Sequence, residues 1–199
     1  MTRRTLFIAM LLALAWSSTS LAQDETRVSA GSFMIAGSVS FESASSDDGD
    51  RSTLIINPEF GYFFADGLEI GAAVLVSATD RDNSSTSELL IGPKAAYYFA
   101  LPTETIYPFL GVAVLFGAET TEPVLGSDYT DTRTTFEFNG GVMLMVNEHV
   151  GINGTLFYRA TSIDYDDDTD FRNEANEPIT PADSETGIGV SFGLNVFLN

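Results

Sequence analysis

Apolar and polar positions alternate along most of this chain, most strictly near its C-terminal end. Ile188, Val190, Phe192, Leu194, Val196 and Leu198 are apolar; Gly189, Ser191, Gly193, Asn195 and Phe197 stand between them. A period of two over this length specifies a β-strand with one greasy face and one small, mostly polar face. Seven further runs show strand character: Val28–Phe41, Ser52–Phe64, Leu68–Ala78, Ser87–Phe99, Ile106–Gly117, Thr134–Val146 and Val150–Ile163. In the first, Phe33, Ile35, Val39 and Phe41 share one face, against Ser32, Met34, Ala36, Ser38 and Ser40. Ile106–Phe116 is apolar on both faces and gives no direction. Pro58 and Pro93 fall inside runs, so a bulge or a missing ladder bond is expected near each.

The connectors alternate in length. Glu42–Arg51, Thr79–Thr86, Ala118–Arg133 and Asp164–Glu185 are long and polar; Ala65-Asp66-Gly67, Ala100–Thr105 and Asn147-Glu148-His149 are short. Asp66-Gly67 is a strong hairpin turn signal. Short turns at one end and long loops at the other are the layout of up-and-down outer-membrane barrels, whose strands need about ten residues to cross a bilayer. Aromatics gather at both ends. Tyr62, Phe63, Phe64, Tyr97, Tyr98, Phe99, Tyr107 and Phe197 lie near the short turns; Phe41, Phe116, Phe136, Phe138 and Tyr158 lie near the long loops. Two aromatic belts around an aliphatic band are what the two bilayer interfaces select. The expected fold class is therefore all-β, an eight-stranded antiparallel up-and-down transmembrane β-barrel. The greasy row ending at Leu198 should face lipid, and that strand should close the barrel by pairing with Phe33–Phe41.

If the greasy face is outside, the polar face must be packed inside. Eight strands leave just enough interior for side chains to fill. Glu59 and Lys94, the sole lysine, should lie at similar depth, one strand apart. Glu137 and Arg159 are symmetric about Glu148 at the middle of a three-residue turn, so they should be direct cross-strand neighbours. Buried charges persist when paired and hydrogen-bonded, and Asn57, Asn139, Asn153, Asn195 and Thr155 are available to complete such a network.

The N-terminus bears on compartment. Arg3 and Arg4 precede an apolar run from Leu6 to Trp16, and Ser20-Leu21-Ala22 ends a small-polar stretch. This predicts a secretory signal peptide over residues 1–22, leaving an outer-membrane barrel domain over residues 23–199. The run is shorter than the roughly 20 apolar residues of a membrane-spanning helix. The leader carries two basic and no acidic residues, so its removal takes the formal charge from −19 to −21. This balance argues against nucleic acid as a partner, since its binding needs basic surface. The chain has no cysteine, so no disulfide stabilises it.

Candidate chemistry is sparse. His149 is the sole histidine, sits in a short turn, and has no serine near it in sequence to begin a triad. No catalytic residue and no cofactor are expected. In the last long connector Asp164, Asp166, Asp168 and Asp170 alternate as calcium-loop carboxylates do. Thr169 and Ala175 stand where an EF-hand needs glycine and a bidentate glutamate, so a hydrated acidic loop is the simpler reading. Divalent cations bridging such loops to lipid headgroups are the partner chemistry it would allow.

The segments Asn57-Pro58-Glu59-Phe60-Gly61-Tyr62-Phe63, Ile91-Gly92-Pro93-Lys94-Ala95-Ala96-Tyr97-Tyr98-Phe99 and Ile106-Tyr107-Pro108-Phe109-Leu110-Gly111 resemble those of small Gram-negative outer-membrane β-barrel proteins. These are the OmpA/OmpX/OmpW-like and opacity-protein-like barrel domains. The resemblance implies residence in outer-membrane lipid, insertion by the barrel-assembly machinery, and no shared catalytic residues. Many such proteins end on an aromatic residue, whereas this chain ends Phe197-Leu198-Asn199. The expected function is a non-enzymatic outer-membrane barrel with a structural or surface-interaction role through acidic external loops. The alternative is a narrow, porin-like channel for small solutes. A soluble, lipocalin-like barrel would instead turn its greasy face inward.

Overall fold

The structure, a computed structural model, describes residues 28–46, 49–81, 84–102, 105–123, 129–165 and 184–198. The expected signal peptide lies outside them. Eight strands form among the described residues: β1 (Phe33–Ser46), β2 (Gly49–Ala65), β3 (Leu68–Arg81), β4 (Ser84–Tyr98), β5 (Ile106–Pro123), β6 (Tyr129–Met145), β7 (Val150–Tyr165) and β8 (Ser184–Leu198). Each pairs antiparallel with its sequence neighbours, and β8 returns to β1 to close the barrel. Every ladder edge at that level then has a partner, which a membrane-spanning sheet requires.

Alternation carries through to the two faces. Leu54, Ile56, Phe60, Ile70, Val76, Leu89, Ile91, Leu110, Phe116, Phe136 and Phe138 all point outward and are exposed. Asn57, Glu69, Thr135, Glu137, Ser191 and Asn195 point inward and are buried. A soluble barrel would show the reverse, so the lipocalin-like alternative is excluded. The apolar exterior is one continuous surface far larger than a monomer exposes to water.

Three sequence expectations change. The strands at the long-loop end run further than the apolar pattern, with β5 reaching Pro123 and β6 starting at Tyr129. Threonines extend them: Thr53 pairs with Thr79 at 3.0 Å, Thr86 with Thr121 at 3.4 Å and Thr120 with Thr130 at 3.1 Å through their hydroxyls. β-branched cross-strand pairs of this kind stabilise a ladder without hydrophobic alternation. Second, β1 begins at Phe33 rather than Val28. The residues before it turn under the barrel through Gly31, at a φ of 96°. Gly31 N–H donates to Phe63 O at 2.7 Å, and Gly67 N–H to Val28 O at 2.7 Å.

The third change concerns the aromatics of the short-turn end. Phe64, Tyr97 and Phe99 face outward, but Phe63, Tyr98, Tyr107 and Phe197 face inward. With Val28, Met34, Phe109 and Met143 these four fill the barrel's short-turn end as an apolar cluster. Consecutive strand residues point to opposite faces, so a run such as Tyr97-Tyr98-Phe99 divides between belt and interior. The prolines behave as expected. The β2–β3 ladder skips from Ile56↔Val76 to Glu59↔Ala73, and the β4–β5 ladder from Ile91↔Phe116 to Lys94↔Ala113, each without a register shift.

Candidate functional site

The barrel interior has three levels. The lowest is the apolar cluster. Tyr98 stacks on Phe109 with ring centroids 5.2 Å apart, and Phe63 lies 5.5 Å from Tyr98 and 6.1 Å from Phe197. Gly67 holds the Asp66-Gly67 turn at a φ of 73°, which only glycine adopts without strain. Tyr98 N–H donates to Gly67 O at 2.7 Å, fastening that turn to β4.

Ion pairs occupy the middle level. Lys94 Nζ pairs with Glu59 Oε2, and lies 3.0 Å from Glu69 Oε1. Glu59 and Lys94 sit on β2 and β4 and meet across β3, where the inward residues are the small Ala73 and Gly71. Glu69 is the partner that sequence reasoning missed. It is fully buried, at 0% exposure, and an added Cβ at Gly61 would collide with its carboxylate. The signal was present: Leu68-Glu69-Ile70 places a charge on the inward face one step from a tight turn.

Glu137 and Arg159 are opposite each other in the β6–β7 ladder. Arg159 Nε donates to Glu137 Oε2 at 2.6 Å, and Asn139 Nδ2 donates to Oε1 at 2.8 Å. The Arg159 guanidinium also lies 4.1 Å over the Phe157 ring. Asn57 Nδ2 donates to Glu59 Oε1 at 3.3 Å, Asn153 Nδ2 to Asn195 Oδ1 at 2.8 Å, and Thr155 Oγ1 to Asn153 Oδ1 at 3.4 Å. The space left at this level is only about 40 Å³.

Above it the interior opens into a cavity of about 830 Å³. Its chemistry centres on Arg133, which the sequence pattern leaves in a connector and the longer β6 turns inward. Arg133 Nη2 lies 2.6 Å from Glu119, Nη1 lies 2.9 Å from Glu185 and 3.6 Å from Glu88, and Nε lies 3.2 Å from Asp131. Four carboxylates around one guanidinium leave this level formally at −3. The outward neighbours of Glu119 and Arg133, namely Ala118, Thr120, Thr132 and Thr134, lie beyond the apolar band that ends at Phe116 and Phe136. Burial pushes the Glu119 carboxyl up to about 7, against the pull of Arg133 and with the help of Glu88, Asp131 and Glu185.

Two other candidates lie apart from this interior. His149 is exposed in its turn, where its carbonyl accepts from Phe197 N–H at 2.8 Å. Asp164 is exposed on β7, while Asp166, Asp168 and Asp170 lie outside the described residues. Among the described residues no group of three His, Asp or Glu side chains is arranged to hold a metal.

A model of the outer membrane protein beta-barrel domain matches residues 7–195. Among solved structures, the fold is similar to Neisserial surface protein A, at 18% identity over 84% of this chain and 97% of that one, with a TM-score of 0.54. It is also similar to the N-terminal β-barrel domain of Pseudomonas aeruginosa OprF, at 13% identity over 85% of this chain and 98% of that one, with a TM-score of 0.54. At these identities the likeness is one of fold. No curated protein matches the chain.

Proposed function

Since this chain belongs to the outer membrane protein β-barrel domain family, we propose that it resides in the Gram-negative outer membrane as a sealed, non-enzymatic barrel acting through its acidic long-loop end. The apolar cluster at the short-turn end carries this reading. Met34, Phe63, Tyr107, Met143 and Phe197 are fully buried there, and the ion pairs of Lys94 and Arg159 sit directly above. A solute passing through would have to displace aromatic packing and break buried charge pairs, each costing several kcal/mol. In this reading residues 1–22 direct export, the barrel-assembly machinery inserts residues 23–199, and the short turns face the periplasm. The long-loop end then faces outward with its formal negative charge, where it meets lipid headgroups, cations or partners.

The competing reading is a narrow channel for small solutes, and the wide outer cavity favours it. Planar-bilayer recording separates the two. A sealed barrel gives no steady unitary steps at any voltage that the bilayer tolerates. Reproducible steps that vanish with the protein would establish the channel instead.

A further inference from the structure

Three carboxylates stand side by side on the inner wall of the outer cavity. Glu88 is directly opposite Glu119 in the β4–β5 ladder, and Glu119 is directly opposite Asp131 in the β5–β6 ladder. All three line the cavity, and Glu185 joins them from β8. Like charges placed directly opposite each other destabilise a sheet, so this row works against the fold that carries it.

Arg133 offsets the row only in part. It takes one oxygen from each acid: Oε1 of Glu88, Glu119 and Glu185, and Oδ2 of Asp131. Arg159 of the middle-level ion pair also lines this cavity, but Glu137 holds its guanidinium. Asp131 adds a separate observation. It is only 2% exposed, and its Oδ1 has no hydrogen-bond partner within the protein. Buried acceptors are nearly always satisfied, so an orphan one at a cavity wall marks a place for a donor.

The surroundings select that donor. The Arg133 guanidinium stands among the acids, and among the described residues no three of them are placed to hold a metal ion. Just below the row, Leu90 lies two residues from Glu88 on β4 and opposite Leu75 on β3; both line the cavity, as does Ile55. The cavity, at about 830 Å³, has the volume of a small-molecule site. Acids above an apolar floor suit a ligand whose positive charges are joined by apolar segments. Neighbouring strands lie about 5 Å apart, and ammonium groups joined by a propyl or butyl spacer repeat at a similar distance.

We propose that Glu88, Glu119 and Asp131, with Glu185, form a binding site for a linear polyamine. Its ammonium groups lie along the acid row beside Arg133, one of them donating to Asp131 Oδ1. Its methylene segments lie over Ile55, Leu75 and Leu90. An anion meets repulsion in this cavity. This site deepens the reading of an acidic long-loop end and rests on that end facing outward in the cell.

Calorimetric titration of spermine into the protein in nanodiscs of zwitterionic lipid, with empty nanodiscs subtracted, tests the site. Both faces of a nanodisc meet solvent, so binding is read whichever end faces outward, and bilayer recording tests the sealed barrel separately. Spermine should bind saturably, one per barrel. Putrescine should bind about tenfold more weakly or worse, because it forfeits charge-assisted hydrogen bonds. Magnesium at the concentration of spermine should not displace it. Asp131→Asn keeps the side-chain volume, removes the charge, and should weaken spermine about tenfold. Glu122→Gln removes the same charge from an exposed position on the outer face of β5 and should leave the affinity unchanged. The heat-shifted electrophoretic mobility of a folded barrel checks both variants, and the comparison of cations on the unaltered protein stands without them. An absence of saturable binding overturns the proposal. So does equal affinity for putrescine, displacement by equimolar magnesium, or equal weakening by Asp131→Asn and Glu122→Gln.

Discussion

The two ends of this barrel solve the same problem, a narrow polar interior, in opposite ways. At the short-turn end every inward position is consumed: aromatic and methionine side chains fill the bore, and Lys94 is enclosed between two carboxylates. At the long-loop end four carboxylates share one guanidinium and the bore widens. Both ends are built from the same alternating strands. The difference lies in which residues occupy the inward positions: aromatics below, threonines and acids above. In the proposed reading, dense packing and enclosed ion pairs at the short-turn end seal the bore, while excess negative charge and free volume mark the other end.

The sharpest way to break the comparison is to unbalance the sealed end. Lys94→Ala strands Glu59 and Glu69 together in a closed space, and should cost about 3–5 kcal/mol. Urea unfolding of the protein in lipid vesicles measures this; an unchanged midpoint would mean the pair is hydrated and the seal is not there. The matching change at the other end should be milder. Arg133→Ala removes the guanidinium that four carboxylates share, but Glu185 is well exposed and water can enter. The expected loss is about 1 kcal/mol, partly recovered by high salt, which screens the remaining repulsion. Equal losses for the two variants would erase the distinction between the ends.

The smallest effect is a pH dependence. Glu119 has a folded-state pKa of about 7 against an ordinary value of 4.5. Between these values the folded protein holds a proton that the unfolded chain has released, so stability falls as pH rises through that window. Glu119→Gln should flatten this slope. A slope unchanged in the variant would assign the titration to another group.

Much of this was legible in the residues because it depends on a period of two. Strand number, the inward face, the Glu137–Arg159 pair and the Glu59–Lys94 meeting all follow from counting alternate positions away from a short turn. The outer half resisted the same reading. Thr120, Thr121, Thr130 and Thr132 carry no hydrophobic contrast, so their strands read as connector, and Arg133 with them. The division of Tyr97-Tyr98-Phe99 between lipid and bore was likewise hidden, since an aromatic suits both places.

A thiol scan of inward positions at three depths, in a chain free of native cysteine, tests the two-ended account most directly. Thr86→Cys, Asn139→Cys and Met143→Cys step from the half-buried wall of the outer cavity, through the ion-pair level, to the apolar cluster. With water-soluble thiol reagents added to both sides of a bilayer, Thr86→Cys should react, and Asn139→Cys and Met143→Cys should stay protected. Comparable reaction at all three would show a continuous aqueous path and contradict the seal.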